Sequence, residues 1–196
     1  MAVPSRVEAC RLLLALRPPA RLVQHSTVVA EVAAFLGARI ERRGTPIDRR
    51  LVDAAALLHD LDKALPADHP LRDLGHGHAG AAWLREHGLA ELARAVADHP
   101  VTRLTDEARF ARWWATATLE DRVVAYADKR ALLRRVPMAH RFAEWSRRYP
   151  ADAEGRQRTG RRRADRLERE VCEAAGLRPQ QVRRLRWVAA AMRAAQ

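Results

Sequence analysis

Apolar positions recur along this chain at three- and four-residue spacing and never in sustained two-residue alternation, the pattern of helices that bury one face. Proline and glycine cut that pattern into segments. The first predicted helix spans 5–16 and ends at Pro18-Pro19, the second runs over 20–43 and closes at Gly44, and the third covers 48–61, between Pro46 and Pro66. After a polar loop through Pro70 and Gly75, helices are predicted over 78–87 and 90–99, ended by Gly88 and Pro100. Thr105 followed by Asp106-Glu107 reads as a cap and an acidic first turn that lead into Phe110, Trp113 and Trp114. Further helices are expected over 119–135 and 138–148, then over 162–175 and 179–195, with Pro179 in the first turn of the last. Gly155, Gly160 and Arg161-Arg162-Arg163 mark a joint or a helix start between the two groups. The implied fold class is all-α: a domain over 1–150 with its core near 20–135, and a basic C-terminal helical extension over 151–196.

Composition adjusts this picture in three ways. A length of 196 residues suits one domain with an appendage. Cys10 and Cys172 lie far apart in helix-like contexts, so they read as small buried side chains and supply neither a disulfide framework nor a zinc cluster. The most apolar N-terminal run, 12–16, is too short to span a membrane and lacks a secretory cleavage pattern, so a cytoplasmic protein with no membrane partner is expected.

The net charge of +12 divides evenly by amount and unevenly by density: residues 1–150 hold 24 cations and 18 acids, residues 151–196 hold 12 and 6. An anion-attracting surface of this kind draws nucleotides as well as polymers. Arginine in place of lysine is also what a GC-rich coding sequence produces. The two lysines, however, both sit in aspartate-bearing motifs, His59-Asp60-Leu61-Asp62-Lys63 and Ala127-Asp128-Lys129.

Several imidazoles and carboxylates fall on predicted apolar faces. His25 shares a stripe with Leu22, Val29, Val32 and Leu36. It reads as a satisfied core histidine or as a ligand. Leu51, Ala55 and Leu58 place His59 on a similar face, with Asp60 about 100° around the helix. Asp128 closes the apolar run 123–127, where an arginine ion pair or a metal can compensate its burial.

Taken together, the ordered set His25, His59-Asp60 and Asp128 resembles the HD-domain superfamily of helical, metal-dependent phosphohydrolases. The resemblance covers about residues 20–135 and extends to His76-Gly77-His78-Ala79-Gly80-Ala81, similar to the family's His-x-x-x-Gly-Ala element, and to His99. It implies a bundle holding one or two divalent metal ions (Fe, Mn, Co, Zn or Mg) through His25, His59, Asp60, His76, His99 and Asp128. His76 is the histidine four before Gly80, while His78, two residues on, points elsewhere on a helix and reads as a helix-start polar group or as the ligand in place of His76. His69, His87 and His140 match no element and read as loop or surface groups.

The expected activity is cleavage of a phosphate ester or anhydride of a small phosphorylated metabolite, a nucleotide first of all, by a metal-bound hydroxide. Asp60, Lys63 and Asp62 form the candidate catalytic set. Lys63, four after His59, reaches a phosphate on the same face. Asp62 replaces the family's commoner glycine and serves as a proton shuttle, a partner of a ligand histidine or a solvated group. Lys63, Arg103 and Arg130 are the candidate substrate-binding cations, and Trp113 and Trp114 read as core or lid rather than base-stacking groups.

Among small bacterial members, the pattern looks most like the symmetrical diadenosine tetraphosphatases, then the nucleoside-monophosphate phosphatases. Glu120-Asp121 keeps a link to the alarmone hydrolases open. The alternative function is a nucleic-acid-binding module, or an RNA-end phosphatase or phosphodiesterase, gripping phosphates through the arginine-rich tail over 156–186. A regulatory protein with a vestigial site is a third.

Overall fold

In a computed structural model, which describes residues 3–150 and 155–196, the described residues form helices and turns with no strand. The helices are α1 Arg6–Ala15, α2 Ala20–Arg42, α3 Arg49–Leu58, α4 His78–Glu86, α5 Ala90–Asp98, α6 Thr102–Thr105, α7 Glu107–Thr116, α8 Leu119–Lys129, α9 Met138–Arg148, α10 Arg156–Ala175 and α11 Val188–Ala195. The expected all-α class is observed. Helix α2 lies at the centre, packed against α3, α8 and α10, while α5 closes the bundle against α3, α4 and α8. One core runs from Ala9 and Leu13 through Val29, Leu57, Leu92 and Val124 to Leu167 and Val188. The C-terminal helices share that core, α10 lying on α2, α6 and α8 and α11 on α1.

Caps explain several boundaries. Ser5 and Glu8 form a capping box on α1, and Thr118 and Asp121 form one on α8. The cap of α7 is Asp106 and not Thr105: its carboxylate accepts from Arg109 N, whereas Thr105 ends the short α6. Gly160 sits within α10 where it crosses α6, and an added Cβ would stand 3.0 Å from Thr105 Cγ2. The helix therefore begins at Arg156, six residues before the expected start, and glycine serves close packing there.

Three predicted helices have other boundaries, two of them where loop or long-range hydrogen bonds outcompete local propensity. Helix α3 stops at Leu58, and residues 61–64 form a 3-10 turn. Helix α8 ends at Lys129, because Val136 N donates back to Arg130 O and Arg130 Nε donates to Val136 O, folding 130–136 into a tight loop. The last helix starts at Val188, after a 3-10 turn at Pro179–Gln181. In between, Glu31 of α2 holds the chain: its carbonyl accepts from Leu185 N, and its carboxylate takes Arg184 and Trp187 N.

Cys10 and Cys172 are free and buried, as expected, and burial pushes the Cys10 thiol up to about 11. Trp113 is a core residue, and Trp114 packs against the core beneath the guanidinium groups of Arg122 and Arg166. No helix among the described residues is long and apolar enough to cross a membrane.

Candidate metal centre

Two helix ends use the same device. His59 follows α3 and His99 follows α5, each as its C-cap, and each ring turns back so that Nδ1 donates to the carbonyl three residues earlier, Ala56 O at 2.8 Å and Val96 O at 2.6 Å. A terminal carbonyl is thereby satisfied, and Nε2 is left facing the centre of the bundle. His25 reaches the same centre from the buried stripe of α2, its Nδ1 donating to Leu132 O at 3.0 Å in the 130–136 loop. His76 enters from the loop before α4, its Nδ1 donating to Asp62 Oδ2 at 2.8 Å. In all four histidines the outer nitrogen is anchored and the inner one is free to ligate, as in protein metal sites.

Asp60 joins them. Its Oδ2 lies 3.6 Å from His25 Nε2 and 3.4 Å from His59 Nε2, while its Oδ1 lies 3.3 Å from His76 Nε2 and 3.4 Å from His99 Nε2. Asp128 Oδ1 completes the first group, 3.3 Å from His25 and 4.0 Å from His59. The cluster thus holds two donor groups that share one carboxylate: His25, His59, Asp60 and Asp128 on one side, Asp60, His76 and His99 on the other.

Two observations show that divalent ions fit this arrangement. Bonds of ~2.1 Å at angles near 90–110° place neighbouring donor atoms ~3.0–3.4 Å apart, and most of the observed separations fall in or next to that window. Asp60 Oδ1 is also buried without a hydrogen bond, and the Nε2 atoms of His25 and His59 stand head-on at 3.2 Å, those of His76 and His99 at 3.3 Å. Lone pairs facing each other at that distance are satisfied by a cation between them. Four imidazoles with two carboxylates suit Fe, Mn, Co or Zn, with Mg depending on the oxygens.

Electrostatics agree with this chemistry. Burial raises the carboxyl pKa of Asp60, but His59, His99 and Lys63 outweigh it and hold the group well below the carboxylate range. For Asp128, burial is outweighed by Lys129, His25 and Arg141. Burial pushes His99 down to about 3, so that ring is neutral and available as a ligand. Burial also disfavours charge on His25, yet Asp128 and Asp60 overcome it and raise the ring above its ordinary 6.5.

A proton on His25 therefore competes with an ion for Nε2. Affinity is full above the raised value and falls as pH drops through it, so metal binding measured by calorimetry is expected to weaken about tenfold or more between pH 7.5 and 5.5. Unchanged affinity across that range would remove His25 from the ligand set.

The backbone around His76 is equally specific. Gly77 has φ +83°, and a Cβ there would stand 2.8 Å from both Ala97 O and Pro100 Cγ. Gly77→Ala is expected to cost ~1–3 kcal/mol through backbone strain, with the collision in addition. Thermal unfolding and metal analysis of the variant should show both a lower midpoint and reduced metal content.

The remaining sequence candidates fall on both sides. Lys63 is half-exposed, donates to Asp60 Oδ2 at 2.7 Å and lines a cavity of about 520 Å³ above the donors. It does so from the 3-10 turn and not from a continuous helix shared with His59. Asp62 is turned toward His76, as a ligand partner would be. Arg103 and Arg130 do not line the cavity and are corrected as substrate contacts. Arg103 is buried beside Trp113, bonded to Ala97 O and Asp98. Arg130 is buried and spends its donors on Val136 O, Tyr126, Glu168 and Pro179 O.

His78 is exposed and meets Arg109, so His76 alone of that pair reaches the cluster. His69 caps a 3-10 turn, His87 stacks on Trp83, and His140 lies at the surface near Glu144. Glu120 accepts from Asp48 N and Asp121 serves the α8 cap, which places that dipeptide away from the donors.

Two groups escaped the sequence reading. Lys129 is buried, its ammonium donating to Asp128 Oδ2 at 2.6 Å and to His99 O at 2.8 Å, so one side chain ties together residues from the two donor groups. Its adjacency to Asp128 and the rarity of lysine were the available signals. Arg141 of α9 stands 3.6 Å from Asp128 Oδ1 at the cavity wall, brought there by tertiary packing with no local sequence mark.

The family model described as HD domain matches residues 22–133, more than half of the chain and a span that contains all six donors. No curated protein and no solved structure matches.

Proposed function

This chain belongs to the HD-domain family, whose members are in general metal-dependent phosphohydrolases, and we propose that it hydrolyses a phosphate ester or anhydride of a small phosphorylated metabolite, a nucleotide first of all. The observation that carries this reading is the shared carboxylate: Asp60 presents one oxygen to His25 and His59 and the other to His76 and His99, at the floor of a cavity rimmed by cations.

In this reading two divalent ions are held by His25, His59, Asp60 and Asp128 and by Asp60, His76 and His99. Ions bound there acidify water at neutral pH and neutralise phosphate charge. The protein's own groups do the rest. Lys63 and Arg141, on either side of the donors, draw in and orient the phosphate. Asp62 fixes the His76 tautomer, and Leu132 O, Ala56 O and Val96 O fix the other three. Lys129 holds Asp128 in place.

A nucleotide is favoured over a simple sugar phosphate because the cavity continues past the donors along Phe142, Trp145 and Tyr149. The likeness to diadenosine tetraphosphatases and nucleoside-monophosphate phosphatases makes these the first substrates to try. Several tail arginines are engaged within the chain, Arg163 with Leu104 O, Arg161 with Asp165 and Arg184 with Glu31, which favours the nucleotide reading over a polymer grip.

The test is metal analysis of protein purified without chelator, joined to phosphate release over a nucleotide panel with Mn, Fe, Co, Zn or Mg. Metal-dependent release from at least one nucleotide is expected. Stoichiometric metal with no release from any phosphorylated compound would contradict the proposal.

A further inference from the structure

We propose that α9 is the substrate-reading wall of the cavity: Trp145 stacks on the planar base of a nucleoside phosphate, and Arg141 holds the phosphate next to the group seated at Asp60. This rests on the phosphohydrolase reading above and adds the substrate class, a nucleotide with at least two phosphates.

Spacings of four and three residues put Arg141, Trp145 and Arg148 on one face of α9, and all three line the cavity that opens onto Asp60 and Asp128. Their order is fixed. Arg141 Nη2 is 3.6 Å from Asp128 Oδ1, and its guanidinium carbon is 5.9 Å from the Trp145 ring centroid. Trp145 follows ~6 Å further along the helix axis and Arg148 ~10 Å from Arg141, at 1.5 Å per residue. Leading away from the donors, a ligand therefore meets a cation, an indole and a second cation. Phe142 packs edge-on against Trp145 at 5.6 Å and holds that ring in place.

A compound with one phosphate and no ring fills the first position only. A nucleoside diphosphate fills the first two, its second phosphate matched by Arg141 and its base by an aromatic surface that stacks on any base.

The test is calorimetric binding, to the full metal-supplemented chain, of the non-hydrolysable α,β-methylene analogue of ADP and of ribose 5-phosphate. The analogue is expected to bind more tightly. Trp145→Leu should shrink the ratio of the two affinities by about tenfold or more, and Trp145→Phe should keep most of it, because stacking needs a ring and not an indole. Equal affinities in the unaltered protein, equal losses for both ligands in Trp145→Leu, or no binding of the analogue would each overturn the proposal. A base preference without turnover of any nucleotide would leave the wall standing and remove the phosphohydrolase reading, whereas turnover without base preference would do the reverse.

Discussion

Asp60→Asn is expected to abolish phosphate release, by on the order of a thousandfold or more, equivalent to ~4 kcal/mol of barrier, and to empty both ion positions together. The reason is geometric. Each carboxylate oxygen faces a different pair of imidazoles, so this one side chain serves both groups. Asparagine keeps the shape but offers one neutral oxygen and an amide whose protons point at imidazole nitrogens. Replacing His99 should instead empty one position and leave the other partly filled, because His99 belongs to one group only. Metal analysis, phosphate release and far-ultraviolet circular dichroism on the same samples separate loss of the site from loss of the fold. Retained turnover in Asp60→Asn would show that the chemistry lies elsewhere.

Lys129→Met is expected to be the most destabilising single change near the site. The ammonium is buried and donates inward, to Asp128 Oδ2 and to His99 O. Removing one partner of a buried ion pair costs up to ~3–5 kcal/mol, because the other charge loses compensation, less here by what Arg141 and His25 still supply to Asp128. An ion facing Asp128 Oδ1 supplies part of that compensation. The penalty in urea unfolding should therefore be larger in chelated protein than in metal-saturated protein, by the amount that the variant's metal-binding free energy exceeds that of the unaltered protein. The double change Asp128→Asn with Lys129→Met should recover part of the stability and none of the metal binding, since the unpaired charge is gone but so is the ligand. Equal penalties with and without metal would place Asp128 outside the ion's reach.

The candidate donor set came from the resemblance to a family, since local pattern left His25, His59 and Asp128 open between core or ion-pair roles and ligation; the structure brings these side chains together. His25 and Asp128 interrupt apolar faces, and His59 and His99 fall at the ends of two short helices where a ring can cap its own carbonyls. The second coordination groups were only partly legible. The sequence leaves Asp62 several roles, and in the structure it accepts from His76 Nδ1 at 2.8 Å. Arg103 and Arg130 misled because proximity in sequence to a donor says nothing about burial. Their guanidinium groups are consumed by Asp98, Tyr126, Glu168 and backbone carbonyls brought in from other elements. Among thirty-four arginines, nothing local distinguishes those two from Arg141, which the packing of α9 carries to the cavity.

The helix boundaries failed for the same physical reason. The last helix begins late because Glu31 of α2 captures residues 184–187, a pairing across more than 150 positions that periodicity does not register. The 130–136 loop likewise depends on Arg130 folding back on Val136, and its reward is functional: Leu132 O, exposed by that turn, orients the His25 ring.

Anomalous diffraction from crystals grown without chelator, collected on both sides of the absorption edge of the metal found in the protein, addresses the donor cluster directly. Peaks between His25, His59, Asp60 and Asp128 and between Asp60, His76 and His99 are predicted, with both Asp60 oxygens engaged. A fully loaded protein whose anomalous density lies away from Asp60 would contradict the account.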